Sequence, residues 1–261
     1  MEIHFDKYQG AGNDFILLDN REGKFNYLSM EQRKSLCNRN MGIGADGLIL
    51  IANSTEADFE MIYFNSDGNL STLCGNGGRC AVAFAHQRKI IGEETRFKAV
   101  DGIHKAQLIS SDLVRLEMKA VHSFTTYDAA VVTDTGSPHY VKLVKEAATI
   151  DVQKEGAAIR YSKDFAPEGI NVNFVEKKSE QRFVIRTYER GVENETLACG
   201  TGAVAAALVL HFLGETGGAT EVELQASGGV LNVDFQLNQR TYQNVHLQGP
   251  ATFIFSGTIN L

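Results

Sequence analysis

The feature that most constrains this chain is that it contains itself twice. YFNSDGNLSTLCGNGGRCAVAFAH (63–86) aligns without a gap on YERGVENETLACGTGAVAAALVLH (188–211). Tyr63 meets Tyr188, Cys74 meets Cys199 and His86 meets His211, each 125 residues apart. The flanks keep nearly the same register: GNDFILL (12–18) lies 124 before GSPHYVK (136–142), and GADGLIL (44–50) lies 125 before GINVNFV (169–175). Downstream, DGIHKAQL (101–108) matches SGGVLNV (227–233) at an offset of 126. One such match is chance, but four in one register predict two structurally equivalent halves, set here at 1–120 and 121–249.

Local patterns give each half mostly strand. Alternating stretches at 59–64, 113–120, 183–189 and 251–259 read as strands, and helical periodicity appears at 29–40, 80–89 and 203–214. Many strands with few helices predict an α+β fold rather than alternating βαβ units. Within each repeat the expected order is strand, Gly-rich turn, then an apolar helix beginning at Cys-Gly-x-Gly.

Composition limits the function. The chain has 261 residues, 43% of them apolar and 22% charged, as in a globular protein. Its formal charge of −7, without any Lys/Arg block, speaks against a nucleic-acid or membrane surface. The start, MEIHFDKYQG, carries no basic segment followed by an apolar one, and AVAAALVL (203–210) is far short of the roughly 20 residues that span a bilayer. Four cysteines without CxxC spacing make neither a disulfide framework nor a zinc site, so a cytoplasmic protein with reduced thiols is expected.

The repeated cysteine is the chemical signal. The first N–H groups of a helix lack internal partners, and the aligned peptide dipoles make that end positive, so it suits a carboxylate, a phosphate or a thiolate. Such positions lower a cysteine pKa from about 8.5 into roughly the 3.5–7.5 range. The dipole alone supplies about 1–2 kcal/mol, or about one pKa unit, so a neighbouring base is expected. His139 in GSPHY is the best placed by motif, although a histidine in a Gly-Ser-Pro turn reads equally well as a plain loop residue.

Two equivalent halves about a pseudo-twofold axis would present two thiols to one ligand, one on each side of a carbon. Stereo-inversion requires that arrangement, whereas a hydrolase would find a second equivalent cysteine redundant. Cys37 and Cys80 correspond to Ser162 and Ala205, which marks them as packing residues. Neither CGNGGR nor CGTGAV fits a phosphate loop. Buried cysteines that merely cap core helices, and a reversible Cys74–Cys199 disulfide as an inactive form, remain the competing readings.

GAGNDF (10–15), YFNSDG (63–68), CGNGGRC (74–80), EGINVNF (168–174) and YERGVENETLACGTGA (188–203) closely resemble the diaminopimelate epimerase family. The resemblance runs over essentially the whole chain. It implies two similar α/β domains, each a barrel-like sheet wrapped round a central helix, with a last strand near 250–261 returning to the N-terminal half. It also implies interconversion of LL- and meso-2,6-diaminoheptanedioate for lysine and peptidoglycan precursors, with no pyridoxal phosphate and no metal.

Carried across by position, Cys74 and Cys199 become the acid/base pair, and His139 and Glu189 the residues that tune them. The backbones of Gly75–Asn76 and Gly200–Thr201 would hold the carboxylate at the reacting carbon. Asn65, Asn171 and Arg190 would bind the distal carboxylate, Glu189 an ammonium group, and Asn13 completes the polar set. Two positions depart from the family pattern: Ser137 stands where Asn is common, and Gly47 where some members have Gln. The expected partner is a small-molecule substrate, with a homodimer as the possible assembly. The alternatives are a proline or hydroxyproline racemase and an amino-acid-binding protein with inert thiols.

Overall fold

The computed structural model describes residues 2–71 and 74–261, and the chain separates into two compact units. The first comprises residues up to 116 together with 249–261, the second residues 117–248. The first contains β1 (Glu2–Gly10), β2 (Asn13–Asp19), α1 (Met30–Cys37), β3 (Gly47–Ala52), β4 (Phe59–Asn65), α2 (Gly75–Gln87), β5 (Glu94–Ala99) and β6 (Gly102–Ser110). β7 (Leu113–Met118) follows, and the C-terminal strand Thr252–Asn260 completes the sheet. β1 lies antiparallel between the C-terminal strand and β2. β2–β3 is parallel, β3–β4 antiparallel, β4–β5 parallel, and β5–β6–β7 antiparallel.

The second unit carries β8 (Phe124–Tyr127), β9 (Ala130–Asp134), β10 (Pro138–Val144), α3 (Val152–Arg160), β11 (Asn171–Lys177), β12 (Arg182–Glu189) and β13 (Asn194–Thr196). α4 (Gly200–Phe212), β14 (Glu221–Ala226), β15 (Gly229–Asn238) and β16 (Thr241–Pro250) follow. Its strands repeat the same sequence of directions. β8–β9–β10 is antiparallel, β10–β11 parallel, β11–β12 antiparallel, β12–β14 parallel, and β14–β15–β16 antiparallel. β13 is a short hairpin arm on β12.

Each sheet wraps a helix. α2 touches β1, β2, β3, β4, β6 and the C-terminal strand, and α4 touches β9, β10, β11, β12, β14 and β15. A helix enclosed by strands must be apolar on every side. Residues 202–210 of α4 are accordingly all buried, as are 76–85 of α2. Each fully buried Leu or Val there contributes about 1.5–3 kcal/mol.

The ladders refine the repeat. Phe15 pairs with Gly47 and His139 with Asn171, so this strand pair is displaced by 139 − 15 = 124 residues. Leu48–Phe64 and Val172–Tyr188 give 188 − 64 = 124 again, while α2 and α4 start 200 − 75 = 125 apart. Tyr188 therefore takes the place of Phe64, not Tyr63. The extra residue lies between β12 and α4, the stretch that forms the β13 hairpin.

α3 is a helix that local patterning does not announce. Asp151 caps it by accepting from Lys154 N at 3.1 Å. Gly156 in its middle lets it press onto β12, where a Cβ would come within 2.4 Å of the Tyr188 side chain. Its counterpart α1 has the clearer signature, a capping box of Ser29 and Gln32 with Leu36 and Cys37 buried.

Candidate active site

Both repeat cysteines are helix N-caps. Cys74 precedes α2 in extended conformation (φ −92°, ψ 122°), and its carbonyl accepts from Gly78 N at 2.8 Å. Cys199 precedes α4 (φ −115°, ψ 114°), and its carbonyl accepts from Ala203 N at 2.9 Å. Cys74 is half-buried and Cys199 is buried. Each side chain therefore sits at the positive end of a 13-residue helix, beside the first-turn amides of Gly75–Asn76 or Gly200–Thr201.

In the second unit a continuous hydrogen-bond chain ends at the thiol. His139, on β10, has no exposed surface. Its Nε2 lies 2.9 Å from Thr201 Oγ1, which lies 3.5 Å from Cys199 Sγ. Its Nδ1 is 3.1 Å from Asn173 Nδ2 on β11. Burial, reinforced by the positive charge of Arg190, lowers its pKa to about 3. The imidazole is therefore neutral at physiological pH and is not a charged base standing against the thiol.

Next to it lies an anion-receptive cluster. Ser137 Oγ accepts from Asn171 Nδ2 at 2.9 Å and from Arg190 Nη2 at 3.4 Å. The backbone N–H of Arg190 donates to Asn171 Oδ1 at 2.8 Å, and its Nη1 donates to Glu168 O and Gly169 O. A hydroxyl that receives two donors turns its own proton toward an outside acceptor. Ser137 is thus a donor built on top of an arginine and an amide. Glu189, at the end of β12, accepts from Thr196 Oγ1 at 3.0 Å and so is held by the β13 hairpin.

The first unit organises its helix end differently. Asn76 donates from Nδ2 to Asn13 Oδ1, and Asn13 Nδ2 donates to Asp46 Oδ2 at 3.0 Å. Behind Asn76, Arg79 is completely buried, donating from Nη2 to Asn76 Oδ1 at 2.8 Å and from Nε to Pro250 O at 3.1 Å. Its Nη1 has no hydrogen-bond partner among the described residues. Burial lowers the Arg79 pKa to about 10, and the nearby thiols of Cys80 and Cys74 oppose that shift. Asn65 stands exposed at the end of β4, opposite Gly47. A Cβ at Gly47 would meet Tyr63 Cε2 at 2.5 Å and Phe64 O at 2.6 Å, which excludes a longer side chain there.

Of the residues singled out in the sequence, Cys199, Thr201 and His139 share one chain of contacts, Ser137, Asn171 and Arg190 a second, and Asn13 with Asn76 a third. Arg79, Asn173, Thr187 and Asp46 were not singled out. Asn173 and Arg79 do carry a visible signal, each being a polar residue in an otherwise apolar buried element. Among the described residues, no group of three or more His, Cys, Asp or Glu side chains is placed to hold a metal ion. No described helix is long and apolar enough to cross a membrane.

Comparison with solved structures places the fold. A phenazine biosynthesis protein of the PhzF family from Bacillus anthracis superposes with a TM-score of 0.76 at 15% identity, covering 100% of both chains. A hydroxyproline epimerase from Agrobacterium vitis superposes with a TM-score of 0.71 at 14% identity, over 100% of this chain and 93% of that one. The chain thus has the α+β fold of two repeated domains that these proteins share. Sequence narrows the class to a family. The diaminopimelate epimerase family model matches residues 5–122 and 131–254. Diaminopimelate epimerases from Flavobacterium psychrophilum and Chlorobaculum tepidum are 48% and 46% identical, each over 97% of this chain and 98% and 99% of their own. The chain belongs to the diaminopimelate epimerase family, a family of isomerases.

Proposed function

We propose that this protein interconverts LL- and meso-2,6-diaminoheptanedioate by proton transfer between two cysteines, supplying lysine and peptidoglycan precursors in the cytoplasm. The observation that carries the reading is the duplicated N-cap cysteine, one thiol at the same position of the wrapped helix in each repeat. A thiolate at one of them removes the α-proton from one face of the carbon, and the thiol of the other returns a proton to the opposite face. Neither step needs a pyridoxal cofactor or a metal.

Amides of Gly75–Asn76 and Gly200–Thr201 hold the carboxylate at the reacting carbon, where the helix ends also favour the charge that develops in the transition state. Arg190, Asn171 and Ser137, with Asn65 and Asn13, take the polar distal end, and Glu189 takes an ammonium group. His139 and Glu189 tune the thiols. Residues 1–120 with the terminal strand and 121–249 act as the two catalytic halves, with a homodimer as the possible assembly. The Arg190–Asn171–Ser137 cluster favours this substrate over proline-type ones, which have no second carboxylate to fill it.

The test is incubation of reduced protein with the LL-isomer in deuterium oxide, following the α-proton by NMR and the stereoisomers by chiral chromatography. Meso product carrying one solvent deuterium at the inverted carbon is expected. Absence of exchange with confirmed reduced thiols would overturn the substrate assignment, and proline-type substrates would be tried next.

A further inference from the structure

The Asn173 amide has only one orientation that satisfies its neighbours. Asn173 Nδ2 is 3.1 Å from the Tyr140 carbonyl, which only accepts, and Thr187 Oγ1 donates to Asn173 Oδ1 at 2.9 Å. The nitrogen therefore faces both Tyr140 O and His139 Nδ1, and an amide nitrogen only donates. Nδ1 must accept, so the single proton of the neutral ring sits on Nε2. From there it is donated to Thr201 Oγ1, which leaves the Thr201 proton for Cys199 Sγ.

Asn173 and Thr187 are themselves buried, so no water-exposed route relaxes this order. Backbone packing enforces it as well: a Cβ on Gly202, in the first turn of α4, would lie 2.5 Å from Asn173 Oδ1. Glycine alone lets the helix end rest on that oxygen. Among the described residues, the charge that acts on the His139 ring is that of Arg190, whose sign also opposes a second proton.

We propose that Asn173 is a positioning residue for catalysis: by accepting from Thr187 and donating to His139 Nδ1, it fixes the imidazole as the Nε2–H tautomer. The Thr201 hydroxyl thereby becomes a one-way donor to Cys199. The device stabilises the thiolate without placing a charge beside it and without competing for its proton. It rests on the reading of Cys199 as an acid/base thiol, but its readouts require no turnover.

In protein labelled with ¹⁵N at histidine, long-range ¹H–¹⁵N correlation reports which ring nitrogen is protonated. Wild-type His139 is expected to be neutral with the proton on Nε2 from about pH 5 to about pH 8, where an ordinary histidine titrates. Asn173→Asp, similar in shape but accepting only, is expected to place a proton on Nδ1. Thr201→Val is expected to raise the pH midpoint of Cys199 alkylation by roughly half a unit to one unit, the effect of one lost hydrogen bond to the anion. Cys74 should not move.

A wild-type ring protonated on Nδ1, an Asn173→Asp ring still bare there, or an unmoved Cys199 in Thr201→Val would overturn the proposal. If Asn173→Asp does not fold, the wild-type spectrum decides the tautomer. Failure of epimerisation with the proton on Nε2 would sink the substrate reading and leave the relay standing.

Discussion

Beneath the first turn of α2 the strands present Phe15, Ile49 and Tyr63; 124 residues further on, beneath the first turn of α4, the same ladder positions carry His139, Asn173 and Thr187. The first trio is apolar packing, with the Phe15 and Tyr63 rings edge to face at 6.0 Å. A Cβ on Gly77 would meet Ile49 Cδ1 at 3.2 Å, much as one on Gly202 would meet Asn173 Oδ1. The second trio is a directed hydrogen-bond chain. The backbone frame was duplicated, and the support beneath each cysteine was not.

In the first half the described support behind Asn76 is a buried charge. Arg79 follows Cys74 by five residues, and the matching residue after Cys199 is Val204. A buried guanidinium whose two bonded acceptors are neutral costs several kcal/mol in desolvation unless an anion compensates it. The thiols of Cys80 and Cys74 are the groups that act on its charge. Cys80 is fully buried and its pKa is pushed well up, so under the proposed mechanism Cys74 would be the thiol that Arg79 supports. Under the proposed mechanism, two thiols in the same helix field would draw on different physics, a cation on one side and a neutral donor chain on the other.

The largest effect should come from removing either cysteine. Cys74→Ala and Cys199→Ala should each lower turnover by about 10⁴-fold or more, since each takes away an obligatory proton carrier, while circular dichroism stays native. A single alanine variant with wild-type epimerisation would break the two-thiol account.

Moving a polar group to the wrong half comes next. Ile49→Asn, which copies Asn173 into the apolar trio, should destabilise the protein by about 2–3 kcal/mol in denaturant titrations, because the buried amide finds no prepared partners. Arg79→Met removes one donor to Asn76 Oδ1 and one to Pro250 O and should cost about 2 kcal/mol, with kcat/KM down about 10²-fold.

A third test uses pH. His139 is held neutral at a folded pKa of about 3, against about 6.5 unfolded, so the unfolded chain binds the extra proton between those values. This group's contribution is complete above about pH 6.5 and is lost as pH falls toward 3, by up to about 1.4 kcal/mol per unit. His139→Gln should flatten that slope in equilibrium unfolding. The smallest expected effect is at Ser137: Ser137→Ala should raise KM about 3- to 10-fold with kcat nearly unchanged, the loss of one hydrogen bond to bound carboxylate.

Much of this was legible in the chain because the repeat carries it. The duplicated Cys-Gly-x-Gly announced both helix ends, and the apolar run from 203 announced a buried helix, which the structure buries on all sides as far as Leu210, leaving Phe212 and Leu213 exposed. The register was legible only to within one residue. Two tyrosines, Tyr63 and Tyr188, invite a gapless alignment, and only ladder pairing shows that the strands run at 124 and the helices at 125. α3 was hidden because Gly156 dilutes its periodicity, although α1 in the other half pointed to it. The relay was not legible at all, since hydrogen-bond direction depends on which atoms the strands bring within 3 Å. Asn173 in GINVNFV shows only as a polar residue out of place in a buried run.

The most direct test is to titrate the two thiols separately, measuring alkylation of Cys74 and Cys199 by mass spectrometry across pH, with and without diaminopimelate. The comparison should be made in wild type, Arg79→Met and Thr201→Val. The account predicts that both thiols ionise below the ordinary value of about 8.5 and that diaminopimelate protects both. It also predicts crossed responses, with Arg79→Met raising only the Cys74 midpoint and Thr201→Val only that of Cys199. Ordinary, unprotected thiols, or variants that shift both cysteines alike, would contradict it.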